Sequence, residues 1–234
     1  MSVPRLNVDL GELPGEPEGL YACAQIANVA CGGHAGDAAS IGLAVARCLR
    51  HGVAIGAHPS YPDRAGFGRT RLQLDPAALE ATVAEQCAHV AAAARAAGAA
   101  VAYVKAHGAL YHAATRDPVA AGAVIRGVLR SLGAVTVIGA GTPADALAAA
   151  AGRAGLAFAR EGFADRGVRA DGTLVPRGEP GALVTDPAKA AARAVDLARS
   201  GRVDTICVHG DTPGAVDVAR AVRSALDALE PGSP

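Results

Sequence analysis

Four of the seven histidines, His34, His58, His107 and His209, stand beside glycine, proline or alanine just past short apolar runs. Each has other reactive groups close by in the chain. Asp9 and Glu12 close the first apolar run, and Asn28, His34 and Asp37 follow the second. His58, Asp63 and Arg64 follow the third, and Lys105 and His107 the fourth. Glu161, Asp165 and Arg166 follow the sixth, with Arg177 further along the same segment, and His209 and Asp211 follow the seventh. Carboxylates beside imidazoles can run general acid–base catalysis with shifted pKa values. The same groups can hold a divalent metal that activates water. The spacing does not separate these two chemistries. There is no H-E-x-x-H, no G-x-x-x-x-G-K-[ST] phosphate loop and no G-x-S-x-G elbow. Gly139-Ala140-Gly141 is only a fragment of a phosphate turn. Cys31, in a glycine-rich loop, reads as a small buried cysteine before it reads as a nucleophile.

Taken singly, many of these residues have a plainer explanation. Asp37 is placed to cap a helix, and Asp211 before Thr-Pro can do the same. His51 and His89 fall within helical stretches and read as packing or surface residues. Only Lys105 and Lys189 are lysines among 22 basic residues, and Lys105 ends an apolar strand where a lysine is rarely buried unpaired. Chemistry and a structural ion pair both remain open for it. The functional reading rests on the constellation: several strands would deliver histidine, carboxylate and lysine to one face.

The elements that must do this alternate along the chain. Strands are expected at Leu6–Leu10, Gln25–Ala30, Val53–Ala57, Val101–Lys105, Val135–Ile138, Leu156–Ala159 and Val203–Val208. Helices follow most of them, opened by Asp37 and by Asp-Pro pairs at residues 75, 117 and 186. Leu13–Gly19 and Gly162–Gly181 read as loops, the second long enough to be functional, and Pro231–Pro234 as a tail. Alternation implies right-handed crossovers and a parallel sheet. Polar clusters at nearly every strand's C-terminal end favour an α/β fold closed as a distorted (β/α) barrel of about seven parallel strands, because closure brings those ends together. An open doubly wound sheet would spread them along an edge. Residues 1–234 read as one domain, with no internal repeat.

Composition narrows the classes of function. Hydrophobic residues make up 51% and charged residues 19%, so the chain is globular. Acidic and basic residues balance at 22 each, which argues against a nucleic-acid partner. Five scattered cysteines without a C-x-x-C pair suit a reducing cytoplasm. MSVPRLNVDLGE has no apolar core for a signal peptide, and the alanine-rich stretches are too interrupted by arginine and glycine to span a membrane.

LNVDLGE, IANVACGGHAGD, IGAHPSYPDRAGFGR, VKAHGALY, EGFADR, LVPRG and VHGDTPGA occur in this order over nearly the whole chain. In this the chain resembles the 5-oxoprolinase A-subunit family, also called the LamB/YcsF family. The resemblance implies a cytoplasmic protein with a barrel like that of polysaccharide deacetylases. It also implies ATP-dependent opening of the 5-oxoproline lactam to L-glutamate together with subunits B and C. On that basis Asp9, Glu12, His34, His58, Lys105, His107 and His209 are the expected catalytic set. Asp9 or Glu12 with a histidine would move protons, and Lys105 would stabilise developing negative charge. Asn28, Asp63, Arg64, Glu161, Asp165, Arg166, Arg177 and Asp211 are the expected substrate-binding set, with Arg64, Arg166 or Arg177 forking onto the substrate carboxylate. ATP is the expected co-substrate, at a site dependent on the partners, and a divalent metal is a candidate cofactor. A stand-alone metal-dependent deacetylase of an N-acylated sugar, and a non-catalytic lactam-binding subunit, are the competing readings. The chain departs from the family pattern at Val8, usually Cys, at Gly33, usually Phe, and at Ala106, usually Pro. It also has a shorter loop after Glu12.

Overall fold

In the computed structural model, which describes residues 2–169 and 173–230, seven parallel strands close into a barrel. They are β1 (Arg5–Leu10), β2 (Ile26–Ala30), β3 (Ala54–His58), β4 (Val101–Lys105), β5 (Thr136–Gly139), β6 (Phe158–Phe163) and β7 (Thr205–His209). Each strand pairs with the next, and β7 returns to β1 with Asp9 opposite His209. The flanking helices are α1 (Glu18–Cys23), α2 (Ala38–His51), α3 (Pro76–Ala96), α4 (Gly108–Arg116), α5 (Pro118–Leu132), α6 (Ala146–Arg153), α7 (Pro187–Arg199) and α8 (Ala215–Asp227).

Period-two alternation divides each strand between two environments. In β1, Leu6, Val8 and Leu10 are fully buried in the apolar core. Asn7 and Asp9 between them point into the barrel and reach side chains of β2, β4 and β7. Barrel interiors of this kind are usually layers of branched apolar side chains. Here the layer is polar and joined by side-chain hydrogen bonds. Asn7 Nδ2 donates to Thr205 Oγ1 at 2.9 Å, and Asn28 Nδ2 donates to Asn7 Oδ1 at 2.7 Å and Asp9 Oδ1 at 2.8 Å.

The aspartate caps form as expected. Asp37 closes a reciprocal capping box with Ser40, and Asp75, Asp117 and Asp186 accept from backbone N–H groups in the first turns of α3, α5 and α7. Each such cap contributes about 1 kcal/mol. Asp211 does not cap, because α8 starts later, after Gly214. Strand β6 begins two residues beyond the expected start and runs to Phe163, which carries Glu161 into the barrel wall. Helix α4 lacks a start signal in sequence; burial of Leu110, Tyr111, Ala113 and Ala114 stabilises it instead. Of the expected long loop, Gly162 and Phe163 belong to β6, and isolated antiparallel bridges join Arg166 to Leu183 and Val168 to Leu174. Residues 170–172 of that loop and the tail Pro231–Pro234 lie outside the described residues. No helix among the described residues is long and apolar enough to cross a membrane.

Candidate active site

The C-terminal ends of β1 to β4, β6 and β7 converge on one buried group of charges. At its base lies Lys105, with Nζ 3.0 Å from Asp9 Oδ1, 2.8 Å from Glu161 Oε1 and 3.0 Å from Cys207 Sγ. All four residues are buried. Lysine and carboxylates therefore compensate one another, as buried charges must. Burial works against ionisation of both Asp9 and Lys105. His58 and Lys105 outweigh it at Asp9, whose pKa is held well below the usual range, and Asp9 outweighs it at Lys105, whose pKa is raised. The Lys105 ammonium is thus engaged from several sides and sits beneath Asp9.

Above it, Glu12 meets three imidazoles. Glu12 Oε1 lies 3.0 Å from His34 Nε2, 3.3 Å from His107 Nδ1 and 3.8 Å from His58 Nε2. His58 Nδ1 is 2.7 Å from the Lys105 carbonyl, and His107 Nε2 is 3.0 Å from the Phe67 carbonyl. The His34 and His107 rings stack at 3.7 Å. Burial opposes charge on Glu12, His34 and His107. For Glu12, the adjoining His107 and His34 imidazoles outweigh burial and keep its pKa far below normal. For His34 and His107 burial prevails, pushing His34 down to about 4 and lowering His107. The loop over this cluster is held in an unusual backbone conformation. Phe67 has φ 53°, and its ring packs edge-on against His34 and His107. At Gly68 a Cβ would come within 2.8 Å of His34 Cβ and 2.9 Å of His107 Cδ2, so only glycine fits.

On the other side of Asp9 stands a second carboxylate–imidazole pair. Asp165 accepts from His209 Nδ1 at 2.9 Å, from the His209 backbone N–H at 2.9 Å and from Thr212 Oγ1 at 2.7 Å. His209 Nε2 then faces Asp9 Oδ2 at 3.8 Å. Burial disfavours the charged ring, but Asp165 outweighs it and raises the His209 pKa. Asp165 is lowered in turn, with the His209 charge overcoming its own burial. One carboxylate, Asp9, therefore has its Oδ1 tied down by Lys105 and Asn28 and its Oδ2 turned toward His58 at 3.4 Å and His209.

The model of the LamB/YcsF family matches residues 5–231. The chain belongs to the LamB/YcsF family. It is 47% identical over 240 residues to the A subunit of the 5-oxoprolinase of Streptomyces avermitilis and 45% identical over 241 residues to that of Chloroflexus aggregans. These matches cover 95% of this chain and 94–95% of those proteins. Among solved structures it is similar to the lactam utilization protein of Thermus thermophilus, with 36% identity, 97% of each chain covered and a TM-score of 0.88.

In this LamB/YcsF chain the expected catalytic residues Asp9, Glu12, His34, His58, Lys105, His107 and His209 come together, with Asn28, Glu161 and Asp165 directly beside them. Others lie apart. Arg64 donates to the carbonyls of Gly32 and Gly36, and Asp63 accepts from the N–H groups of Gly66 and Thr70, so both brace loops. Arg166 is buried against the carbonyls of Ala182 and Val175. Arg177 meets Asp211 at 3.2 Å on the rim, and Arg69 pairs with the same carboxylate from the opposite loop. Arg69 also stacks over Phe67 at 4.8 Å. It was not among the sequence-derived candidates, and neither was Asn7. For Asn7 a signal existed: it stands two residues before Asp9, on the same face of the strand. Cys31 is buried, its Sγ accepts from the His58 N–H at 3.1 Å, and burial raises its pKa, as suits an inert packing thiol. A surface cavity of about 490 Å³ lined by Arg5, Gln25, His51, Arg223 and Asp227 opens at the other end of the barrel, where the strands begin.

Proposed function

We propose that this chain is the A subunit of a cytoplasmic 5-oxoprolinase and acts as a single catalytic domain. With partner subunits B and C it would open the 5-oxoproline lactam to L-glutamate at the expense of ATP. The observation that carries the reading is the position of Asp9 between His58 and the Asp165–His209 pair. Ring opening adds water across the lactam C–N bond: oxygen goes to the carbonyl carbon, and a proton goes to the departing ring nitrogen. Asp9 Oδ2 is placed to accept the water's proton, and His209, held toward its charged form by Asp165, to supply one to nitrogen. A carboxylate of depressed pKa is a weak base. Coupling to ATP answers this, since phosphorylating the lactam oxygen makes the carbonyl carbon far more electrophilic. Water addition then expels the ring nitrogen and leaves an acyl phosphate, which a second water cleaves to L-glutamate and inorganic phosphate. This chain has no phosphate loop, so the phosphorylation depends on the partners. The substrate is itself an anion, and the floor of the site carries Asp9, Glu12, Glu161 and Asp165. Its carboxylate is therefore received at the rim, where Arg69 and Arg177 share one counter-ion, Asp211.

The test is ATP-dependent glutamate release from 5-oxoproline by the chain with and without its partner subunits. Asp9→Asn and His209→Gln should each lower turnover by at least about 100-fold while the complex still assembles. Near-normal turnover in both variants would overturn the assignment.

A further inference from the structure

The cluster of Glu12, His34, His58 and His107 poses a problem that protein groups alone do not solve. A carbonyl oxygen can only accept, so the contacts to Lys105 O and Phe67 O require N–H at His58 Nδ1 and at His107 Nε2. In the neutral rings the other nitrogens, His58 Nε2 and His107 Nδ1, then carry lone pairs. These two lone pairs face each other at 3.0 Å, and Glu12 Oε1, a third acceptor, lies 3.3 Å from one and 3.8 Å from the other. His34 Nε2 closes the group at 3.0 Å from Glu12, and its Nδ1 has no hydrogen-bond partner among the described residues. A single proton can bridge one pair of these atoms, not four.

We propose that Glu12, His34, His58 and His107 form a binding site for one divalent first-row transition metal of the zinc or manganese type. The four ligand atoms lie within 4.8 Å of one another. Metal–ligand bonds of about 2.1 Å in a tetrahedron put ligand atoms about 3.4 Å apart, and four of the six separations, at 3.0 to 3.8 Å, bracket that value. Three imidazoles and one carboxylate suit such an ion better than calcium or magnesium, which favour all-oxygen sets. The surroundings match as well. Metal-binding histidines usually donate their second N–H to a carbonyl or carboxylate, as His58 and His107 do here. Phe67 and Gly68 position that carbonyl through backbone that non-glycine residues rarely adopt. A neighbouring trio, Asp9, Cys207 and His209, also has metal-ligand atoms close together, but it already has a cation: Lys105 Nζ lies 3.0 Å from both Asp9 Oδ1 and Cys207 Sγ. The strand ends thus divide into a lysine-filled half and a half shaped for a metal.

The experiment reads metal, not turnover, so its outcome is separate from that of the lactam assignment. The chelator-treated full chain is titrated with Co²⁺, with Zn²⁺ and with Mn²⁺, and bound metal, visible absorption and melting temperature are recorded. The expected result is about one ion per chain, cobalt d–d bands and a raised melting temperature. Affinity should fall by more than about 100-fold in His58→Gln and His107→Gln and persist in His209→Gln, which lies outside the set. Metal-free melts show whether each variant is folded, and Glu12→Gln replaces any that is not. The wild-type titration needs no variant. Failure of the wild-type chain to bind Zn²⁺, Co²⁺ or Mn²⁺, or equal binding by wild type and a folded His107→Gln, would overturn the proposal.

Discussion

Replacing Lys105 with methionine removes the cation between Asp9 and Glu161 and keeps most of its apolar stem. The two ion pairs span 3.0 and 2.8 Å. At an effective dielectric constant near 20, each is worth about 5.5–6 kcal/mol of gross attraction. Taking the ammonium and the carboxylates out of water offsets several kcal/mol per ion, so the net value is far smaller. The cost of breaking the group is nonetheless about 3–5 kcal/mol, because the surviving charges stay buried without their partner. Two carboxylates are stranded here, which places Lys105→Met near the top of that range. For 234 residues the unfolding entropy is about 0.5 kcal/mol/K, so a loss of 4 kcal/mol lowers the melting temperature by about 8 °C. Urea denaturation followed by circular dichroism measures the free energy, and a thermal melt the temperature. Glu161→Gln alone should cost less, since Lys105 still has Asp9. Combining the two should recover at least about 1.5 kcal/mol relative to the sum of the single losses, because only one unpaired carboxylate remains. If Lys105→Met lies within about 1 kcal/mol of wild type, or the double variant is strictly additive, the ammonium is not the counter-charge of this core.

Asp165→Asn replaces the acceptor at His209 Nδ1 with an amide that can donate, which favours the other imidazole tautomer; the comparable change in serine-protease triads costs about 10⁴-fold in kcat. It also has a pH signature. The folded His209 pKa lies above its unfolded value, so its stabilisation is complete below about pH 6.5 and fades as pH rises through the folded pKa. That of Asp165, lowered on folding, is present above about pH 3.9 and is lost as pH falls through the folded pKa. The stability deficit of Asp165→Asn should therefore peak near pH 5–6 and shrink toward pH 9, and a deficit independent of pH in urea titrations would contradict the pairing. At Gly33 a Cβ would lie 2.6 Å from Ser60 Oγ and closer still to Gln86 Oε1. Gly33→Ala should cost about 1–3 kcal/mol, and less in a Gln86→Ala background; an identical loss in both backgrounds would show that Gln86 is not the obstacle.

Much of the barrel was legible because its signals are local. Val101–Lys105 was read to the residue, and the aspartates before Pro76, Pro118 and Pro187 marked three helix starts. The four histidines stood out because strand ends in a barrel face one another. What local pattern does not contain is the grouping across the barrel. Asn7 meets Lys105 98 residues away, and Asp165 meets His209 44 residues away, through closure and register alone. Nor did spacing separate Arg64 from Arg69. Between them the chain takes positive φ at Phe67 and Gly68, and this reversal sends Arg64 to the carbonyls of Gly32 and Gly36 and Arg69 to Asp211.

Lys105 shows why position in the fold must precede assignment of a role. At the end of an apolar strand, a lone lysine fits an oxyanion stabiliser and a structural counter-ion equally well. Its contacts with Asn7, Asp9, Cys207 and Glu161 decide how it can act. An ammonium so occupied fixes the Asp9 oxygen it touches and leaves the other oxygen to face His58 and His209. It also supplies the positive charge that lets several carboxylates share one barrel end. Lys105 thus acts on substrate through the orientation of Asp9, and its loss should lower stability and turnover together.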